Sequence, residues 1–194
     1  PYWGFNGQER LKPTYTIVDA CIGSRISFDP LSIGVNAGYA YTKDDLIQVM
    51  EQNNGFVYSN FAQDNMHHVF AALSLGYDLR GWLNLSADAK YNYWNCSDNT
   101  LLIMKPEVAV NLNAEVRIIE DLTLRIGYNY AHYTKTDNGR MNDKHNLHAR
   151  ISYQINKRFG AYIQGNNLLN CNYYDYAGYW TRGIRGSLGI TANF

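Results

Sequence analysis

The chain has 194 residues, enough for one substantial domain, and its 17 Lys and Arg balance its 17 Asp and Glu. Zero net charge argues against a nucleic-acid protein, which needs a basic footprint. No apolar run approaches the roughly 18 residues that a membrane helix needs. The composition does leave room for a membrane barrel, where lipid-facing residues are diluted by lumen-facing ones: Tyr (17) and Gly (16) are abundant and hydrophobic content is 46%, yet mean hydropathy is -0.39.

Residues 1–13 read as irregular, broken by Gly4, Gly7 and Pro13, as the tail of an earlier strand plus a loop. The chain begins on Pro without a signal peptide, so it is expected to start inside a longer or processed polypeptide. From Thr14 a period-2 alternation begins, the signature of strands with two unlike faces. Val18, Ala20, Ile22, Ile26 and Phe28 oppose Asp19, Cys21, Gly23, Arg25 and Ser27, and Asp29-Pro30 turns the chain. The second strand sets Leu31, Ile33, Val35, Ala37, Tyr39 and Tyr41 against Ser32, Gly34, Asn36, Gly38 and Thr42. A long excursion over residues 43–64 follows, with Asn53-Asn54-Gly55 as a hairpin tip between Leu46–Met50 and Phe56–Tyr58, where the strands are expected to extend beyond the membrane.

The third strand, from about Met66 to Leu79, turns at Arg80-Gly81 into a fourth, which carries Leu83 to Tyr93. A polar loop at Asn95–Thr100 leads to a fifth strand with Val108 to Ile118 on its apolar face. Glu120-Asp121 turns into a sixth, from Leu122 to Tyr130, and the loop at Thr134–Lys144 holds the turn signal Asn138-Gly139. The seventh strand carries Leu147 to Ile155, and the eighth follows Asn156-Lys157-Arg158 with Phe159, Ala161 and Ile163. A Tyr-rich loop at Asn167–Gly183 precedes the ninth, where Ile184, Gly186, Leu188, Ile190, Ala192 and Phe194 share one face.

Two regularities set the fold class. Connections alternate between short (29–30, 80–81, 120–121, 156–158) and long (43–64, 95–106, 134–144, 167–183), as periplasmic turns and outer loops do in an outer-membrane barrel. Charges also obey the faces. The core of the apolar face carries none, whereas the other carries Asp19, Arg25, Asp78, Asp88, Lys90, Glu107, Glu115, Arg117, Arg125, Arg150 and Arg185. An Arg or Lys facing lipid at the midplane costs about 2–4 kcal/mol. Aromatics gather at both strand ends as interface belts: Tyr39, Tyr41, Tyr91, Tyr93, Tyr128 and Tyr130 at the long-loop end, Phe28, Tyr77, Tyr153, Phe159 and Phe194 at the other. The expected fold is all-β, an antiparallel up-and-down transmembrane barrel contributing about nine or ten strands, with residues 1–194 as one barrel segment in the bacterial outer membrane. The competing reading is a soluble antiparallel protein with one buried face, though soluble strands average about 5–6 residues and these run to about eleven.

The ending, with alternate apolar residues and a terminal Phe194, resembles the closing strand of bacterial outer-membrane barrels, in which it serves as an assembly signal read by the barrel-assembly machinery. Asn167-Leu168-Leu169-Asn170, Tyr173-Tyr174, Gly178-Tyr179 and Gly183 before the last strand resemble the C-terminal end of TonB-dependent outer-membrane receptors. Here Trp180-Thr181-Arg182-Gly183-Ile184 lacks the Pro and the Arg after Gly of that pattern. The resemblance implies a plug domain and a periplasmic segment that contacts the energy-coupling TonB-type protein, both upstream of a barrel of about 22 strands. Nine strands leave the two ends on opposite sides of the membrane, so the chain reads as the C-terminal part of a larger barrel, or one chain of a split one, unless residues 2–6 add a tenth.

The function this implies is active import of a scarce solute, such as a metal chelate, cobamide, glycan or peptide, with a surface lipoprotein as a further partner. Candidate ligand-binding residues are Tyr173, Tyr174, Tyr176, Tyr179 and Trp180 for stacking and Arg125, Arg150 and Arg185 for anionic groups. The competing roles are belt or loop packing for the aromatics and salt bridges to Glu107, Glu115 or Asp88 for the arginines. A passive porin or small structural barrel is the alternative. Catalysis is not expected: His67 and His68 point to opposite faces, as do His145 and His148, and no nucleophile elbow or Cys/His pairing emerges. No cofactor or metal is implied. Cys21, Cys96 and Cys171 have no metal-like spacing, and a Cys96–Cys171 bridge between long loops is left open.

Overall fold

The computed structural model describes residues 12–53, 56–176 and 179–192. Phe194, residues 2–6 and the hairpin tip Asn54-Gly55 lie outside them. The strands are β1 (Tyr15–Phe28), β2 (Leu31–Asn53), β3 (Phe56–Leu79), β4 (Leu83–Asn95), β5 (Pro106–Ile119), β6 (Leu122–Tyr133), β7 (Lys144–Gln154), β8 (Phe159–Asn166) and β11 (Arg185–Ala192). They form one antiparallel sheet in sequence order, with β1 and β11 as its two edges among the described residues. β9 (Tyr174–Tyr176) and β10 (Tyr179–Trp180) make a separate small hairpin within the last loop. This is the up-and-down wall of a barrel, open between β1 and β11 as described.

The wall is inverted relative to a soluble sheet. Along β3, apolar Val69, Ala71, Leu73 and Leu75 are exposed while Phe70, Ala72, Ser74 and Gly76 are half-buried. Ile22, Leu188 and Ile190 are 80%, 81% and 77% exposed. Among the described residues the buried apolar side chains are Ile47, Val49, Met66, Leu102, Tyr133, Met141 and Tyr173. All of them sit at or beyond the long-loop ends of the strands, so no core backs the wall. The sheet curls toward its polar side and presents its apolar side outward, which no soluble protein sustains over so large an area.

The excursion at 43–64 is the expected hairpin, and its arms are longer than expected. They continue β2 and β3 without a break, Leu46 pairing with Gln63 and Asn53 with Phe56. The continuation is made possible by a bulge between Thr42 and Asp45, with Asp44 at φ 52. One extra residue on one strand reverses its face assignment beyond that point. Below the bulge the odd positions of β2 face outward; above it Asp45 pairs with Asp64, and Ile47 and Val49 turn to the inner side. There they pack with Met66 and Leu102, joined by Ala62, Trp94, Cys96 and Leu101.

Leu102 comes from a short 3-10 helix, Asn99–Met104, that occupies the expected polar loop. Asp98 caps it, its carboxylate accepting from the Thr100 backbone N–H at 2.9 Å. The projecting hairpin therefore has a small apolar core of its own. Cys96 belongs to that cluster, and burial pushes its thiol pKa up. All three cysteines are free, so Cys96 and Cys171 are not bridged.

Candidate functional site

Polar side chains on the inner face fall into rows, because register places one residue per strand at each level. At the level of the eighth strand's Gln164 the row runs Glu115, Arg125, Arg150, Gln164 and Ser187 across β5 to β11. Arg125 Nε donates to Glu115 Oε2 at 2.6 Å, the salt-bridge role the sequence offered as its competitor. Arg150 stands beside Arg125 in register and lies flat over the Tyr162 ring, its Cζ 3.8 Å from the centroid. Its Nε also donates to Ser152 Oγ at 3.1 Å. Glu115 thus pairs with Arg125, while Arg150 has a ring and a hydroxyl for partners. Two hollows of about 340 and 350 Å³ open on either side of the pair. Arg185 pairs in register with Asn166, away from this row, and is exposed.

The terminal loop is built around Asn167, whose side chain is fully buried. Its Nδ2 donates to the carbonyls of Cys171 at 3.0 Å and Arg182 at 3.2 Å, and its Oδ1 accepts from Cys171 N–H at 3.1 Å. Asn167 and Asn170 take φ of 52 and 53, the left-handed region that Asn tolerates. The Asn-Leu-Leu-Asn run is thus a knot that closes both ends of the loop onto one side chain. Asn167 was not among the expected site residues. Its signal in the sequence is the Asn at each end of the Asn167-Leu168-Leu169-Asn170 run, which carries no period that points to a hydrogen-bonding role.

The knot sorts the expected stacking residues. Tyr173 is 1% exposed. Its carbonyl accepts from Thr181 N–H at 2.8 Å and Thr181 Oγ1 at 2.6 Å, and the Lys144 ammonium lies 5.0 Å from its ring centroid. Burial raises its phenol pKa. Tyr173 is therefore loop core, because the backbone bonds between residues 173 and 181 turn its ring inward. Tyr174 packs on Trp180 with centroids 4.0 Å apart. Tyr176, Tyr179 and Trp180 are exposed, so the β9–β10 hairpin presents an aromatic surface. The arginine row and this hairpin are separate features, not one pocket.

Sequence reasoning missed an aromatic column on the inner face. His68 stacks on Trp94 with centroids 3.7 Å apart and planes 5° off parallel, and Phe70 lies 5.4 Å beyond His68. Asn92 Oδ1 holds His68 Nε2 at 2.9 Å. Lys90 lies over Phe70 at 4.0 Å and Lys105 over Trp94 at 4.9 Å. The alternation puts His68, Phe70, Lys90 and Asn92 on the polar side, but only register shows that neighbouring strands bring them together with Trp94.

Residues 1–184 match the description "outer membrane protein beta-barrel family". The chain belongs to this family. No curated protein sequence matches it. Among solved structures, it is similar to the copper transporter OprC at 12% identity, covering 97% of this chain and 34% of that one with a TM-score of 0.72. It is also similar to the siderophore receptor PiuA from Acinetobacter baumannii, at 16% identity, 90% and 28% coverage and a TM-score of 0.63. OmpT, an outer membrane protein of Vibrio cholerae, matches at 13% identity, with 89% and 54% coverage and a TM-score of 0.57. The chain spans about a third of the first two and about half of the third. At these identities the likeness is one of fold.

As a member of the outer membrane protein beta-barrel family, the chain lies in the bacterial outer membrane with its apolar side against lipid. Two features of that side then have a clear place. Wide hollows of about 440 and 730 Å³ lie between apolar side chains such as Ile33, Leu75 and Leu112, or Ile22, Val35 and Leu73, where acyl chains fill the relief. The long-loop belt repeats one pairing: Tyr39 Oη lies 2.8 Å from His67 Nδ1 and Tyr128 Oη 2.7 Å from His145 Nδ1. Tyr41 and Tyr130 pack against the same imidazoles at 4.6 and 5.2 Å. These histidines are belt residues in this family member, each satisfied by a phenol at the depth where amphipathic rings belong.

Proposed function

We propose that this chain forms part of the barrel wall of a TonB-dependent active importer of a scarce solute, a metal chelate, cobamide, glycan or peptide. The observation that carries the reading is the terminal loop. The Asn167 knot gives the receptor-like Asn-Leu-Leu-Asn and Tyr-Tyr pattern a physical task, presenting Tyr176, Tyr179 and Trp180 to the outside on a fixed hairpin. The sheet's similarity to OprC and PiuA, described as a transporter and a siderophore receptor, supports it. On this reading the protein does no bond chemistry. Tyr174, Tyr176, Tyr179 and Trp180 meet solute, while Arg125, Arg150 and Arg185 act on anionic groups inside. An upstream plug and a TonB-type protein supply energy coupling, the barrel-assembly machinery inserts the chain, and a surface lipoprotein can deliver solute.

The test is solute depletion from medium by cells carrying the whole receptor, with and without residues 171–182. Uptake is expected to fall when the loop is removed, and unchanged uptake removes these residues from the site. The second reading, a passive porin or small structural barrel, draws on the similarity to OmpT, of which the chain covers a larger share. Conductance of the complete protein in a planar bilayer separates the two, since a plugged importer is nearly silent.

A further inference from the structure

We propose that Lys90 is an anion-binding station on the inner wall, taking a carboxylate or phosphate group of the solute as it passes from the outer loops into the lumen. The inference rests on the importer reading for its direction of travel and on the wall itself for its chemistry.

Lys90 sits on β4 among small side chains. In register with it are Ala72 of β3 and Ala109 of β5, and the same level continues to Asn36 on β2 and Gly23 on β1 in one direction and to Ala131 on β6 and Lys144 on β7 in the other. The two flanking alanines leave space on either side of the ammonium. Just above, Phe70 lies across Gly38, where an added Cβ would meet the ring at 2.6 Å. The absence of a side chain at Gly38 lets the ring lie along the wall. The Lys90 ammonium rests on that ring, 4.0 Å from its centroid.

Three other cations of the wall and its loops have acid partners, whereas Arg150 shares with Lys90 a seat on a ring. Arg125 is neutralised by Glu115 at 2.6 Å, Lys105 by Asp45 at 3.5 Å and Lys144 by Asp175 at 3.7 Å. Asp88 shares the face of Lys90 two residues away, yet the salt bridges among the described residues do not include Lys90. A ring face positions an ammonium without cancelling its charge. The column behind it, Phe70 on His68 on Trp94, is anchored through Asn92, so the lysine is held at one end of a stiff support. A ring-supported cation with no acid partner is preorganised for a charge-assisted hydrogen bond to an oxyanion.

The experiment uses the purified full-length receptor in detergent, unenergised, with glucuronate, glucose 6-phosphate and neutral glucose as probes in calorimetry or ligand-observed NMR. At least one acid is expected to bind more tightly than glucose, the stronger arm identifying carboxylate or phosphate. Lys90→Met should weaken that acid about tenfold or more, the worth of one hydrogen bond to a charged group. Lys90→Arg should retain the preference, and Phe70→Leu should weaken it less than Lys90→Met because the charge remains. Equal binding of acid and glucose, no binding of either acid, or an acid preference that survives Lys90→Met would overturn the proposal. Because no transport is measured, loss of uptake in the loop-deletion test and loss of binding here are separate outcomes.

Discussion

Asn167→Ala removes three hydrogen bonds at once from a fully buried position: two donations, to Cys171 and Arg182, and one acceptance from Cys171. At a net of about 0.5–1.5 kcal/mol each, these amount to about 3 kcal/mol. Alanine at a φ of 52 adds about 1–2 kcal/mol of backbone strain. Water entering the opened loop offsets part of this, so about 3 kcal/mol is a fair figure for the local opening equilibrium, or roughly a hundredfold in population. Cleavage of the native full-length protein by chymotrypsin at Tyr174–Tyr179 reads that population when opening is fast relative to cutting. The expected result is loop cleavage faster by one to two orders of magnitude, while heat-modifiable gel migration shows the barrel still folded. Asn167→Gly loses the bonds but not the backbone preference, and should lie about 1 kcal/mol closer to wild type. Loop cleavage at the wild-type rate in Asn167→Ala would show that Asn167 does not hold the loop.

Other expectations follow from the two faces and the outer loops. Leu73→Lys points an ammonium into lipid and should cost about 2–4 kcal/mol in denaturant-driven folding into bilayers. Ser74→Lys, one residue on and beside Asp88 in register, should stay within about 1 kcal/mol; equal costs would mean the faces are misassigned. Glu115→Gln breaks an exposed pair and should change stability by no more than about 1 kcal/mol in the same assay. In the loop between β6 and β7, burial pulls Asp143 upward, but bonds from Tyr130 and His132 outweigh it and hold the carboxyl below its ordinary 3.8. That contribution is therefore present above 3.8 and lost as pH falls through the lowered value. Hydrogen exchange over residues 133–144 should rise only in that acid window, and Asp143→Asn should show the faster exchange already at neutral pH.

Most of the wall was legible because lipid enforces a binary choice at every residue. Leu31 to Tyr41 and Val108 to Val116 alternate without exception in charge, and the register confirms their faces. In the excursion at 43–64 the hairpin was legible but its continuity with β2 and β3 was not, for a physical reason. The bulge at Thr42–Asp45 adds one residue, so a period-2 pattern loses phase there and the strand looks broken. The 3-10 helix was hidden because its one buried residue, Leu102, answers to Ile47 and Met66 from distant strands rather than to any local period.

The same distinction explains the site. Which face a side chain takes is a local property, and alternation alone places Arg125, Arg150 and Lys90 on the inner side. Which neighbour it meets is a property of register, and register decides its chemistry: Arg125 found Glu115 and is largely spent, Arg150 found Tyr162, and Lys90 found a ring instead of an acid. Tyr173 and Tyr176 look alike in a Tyr-rich loop, yet the Thr181 bonds bury one and leave the other exposed. In a wall without a core, packing cannot single out functional residues by burial. What distinguishes them is whether charge or ring surface remains unmatched after the strands are paired, and on that criterion Lys90, Arg150 and the rings of Tyr176, Tyr179 and Trp180 stand ahead of Arg125.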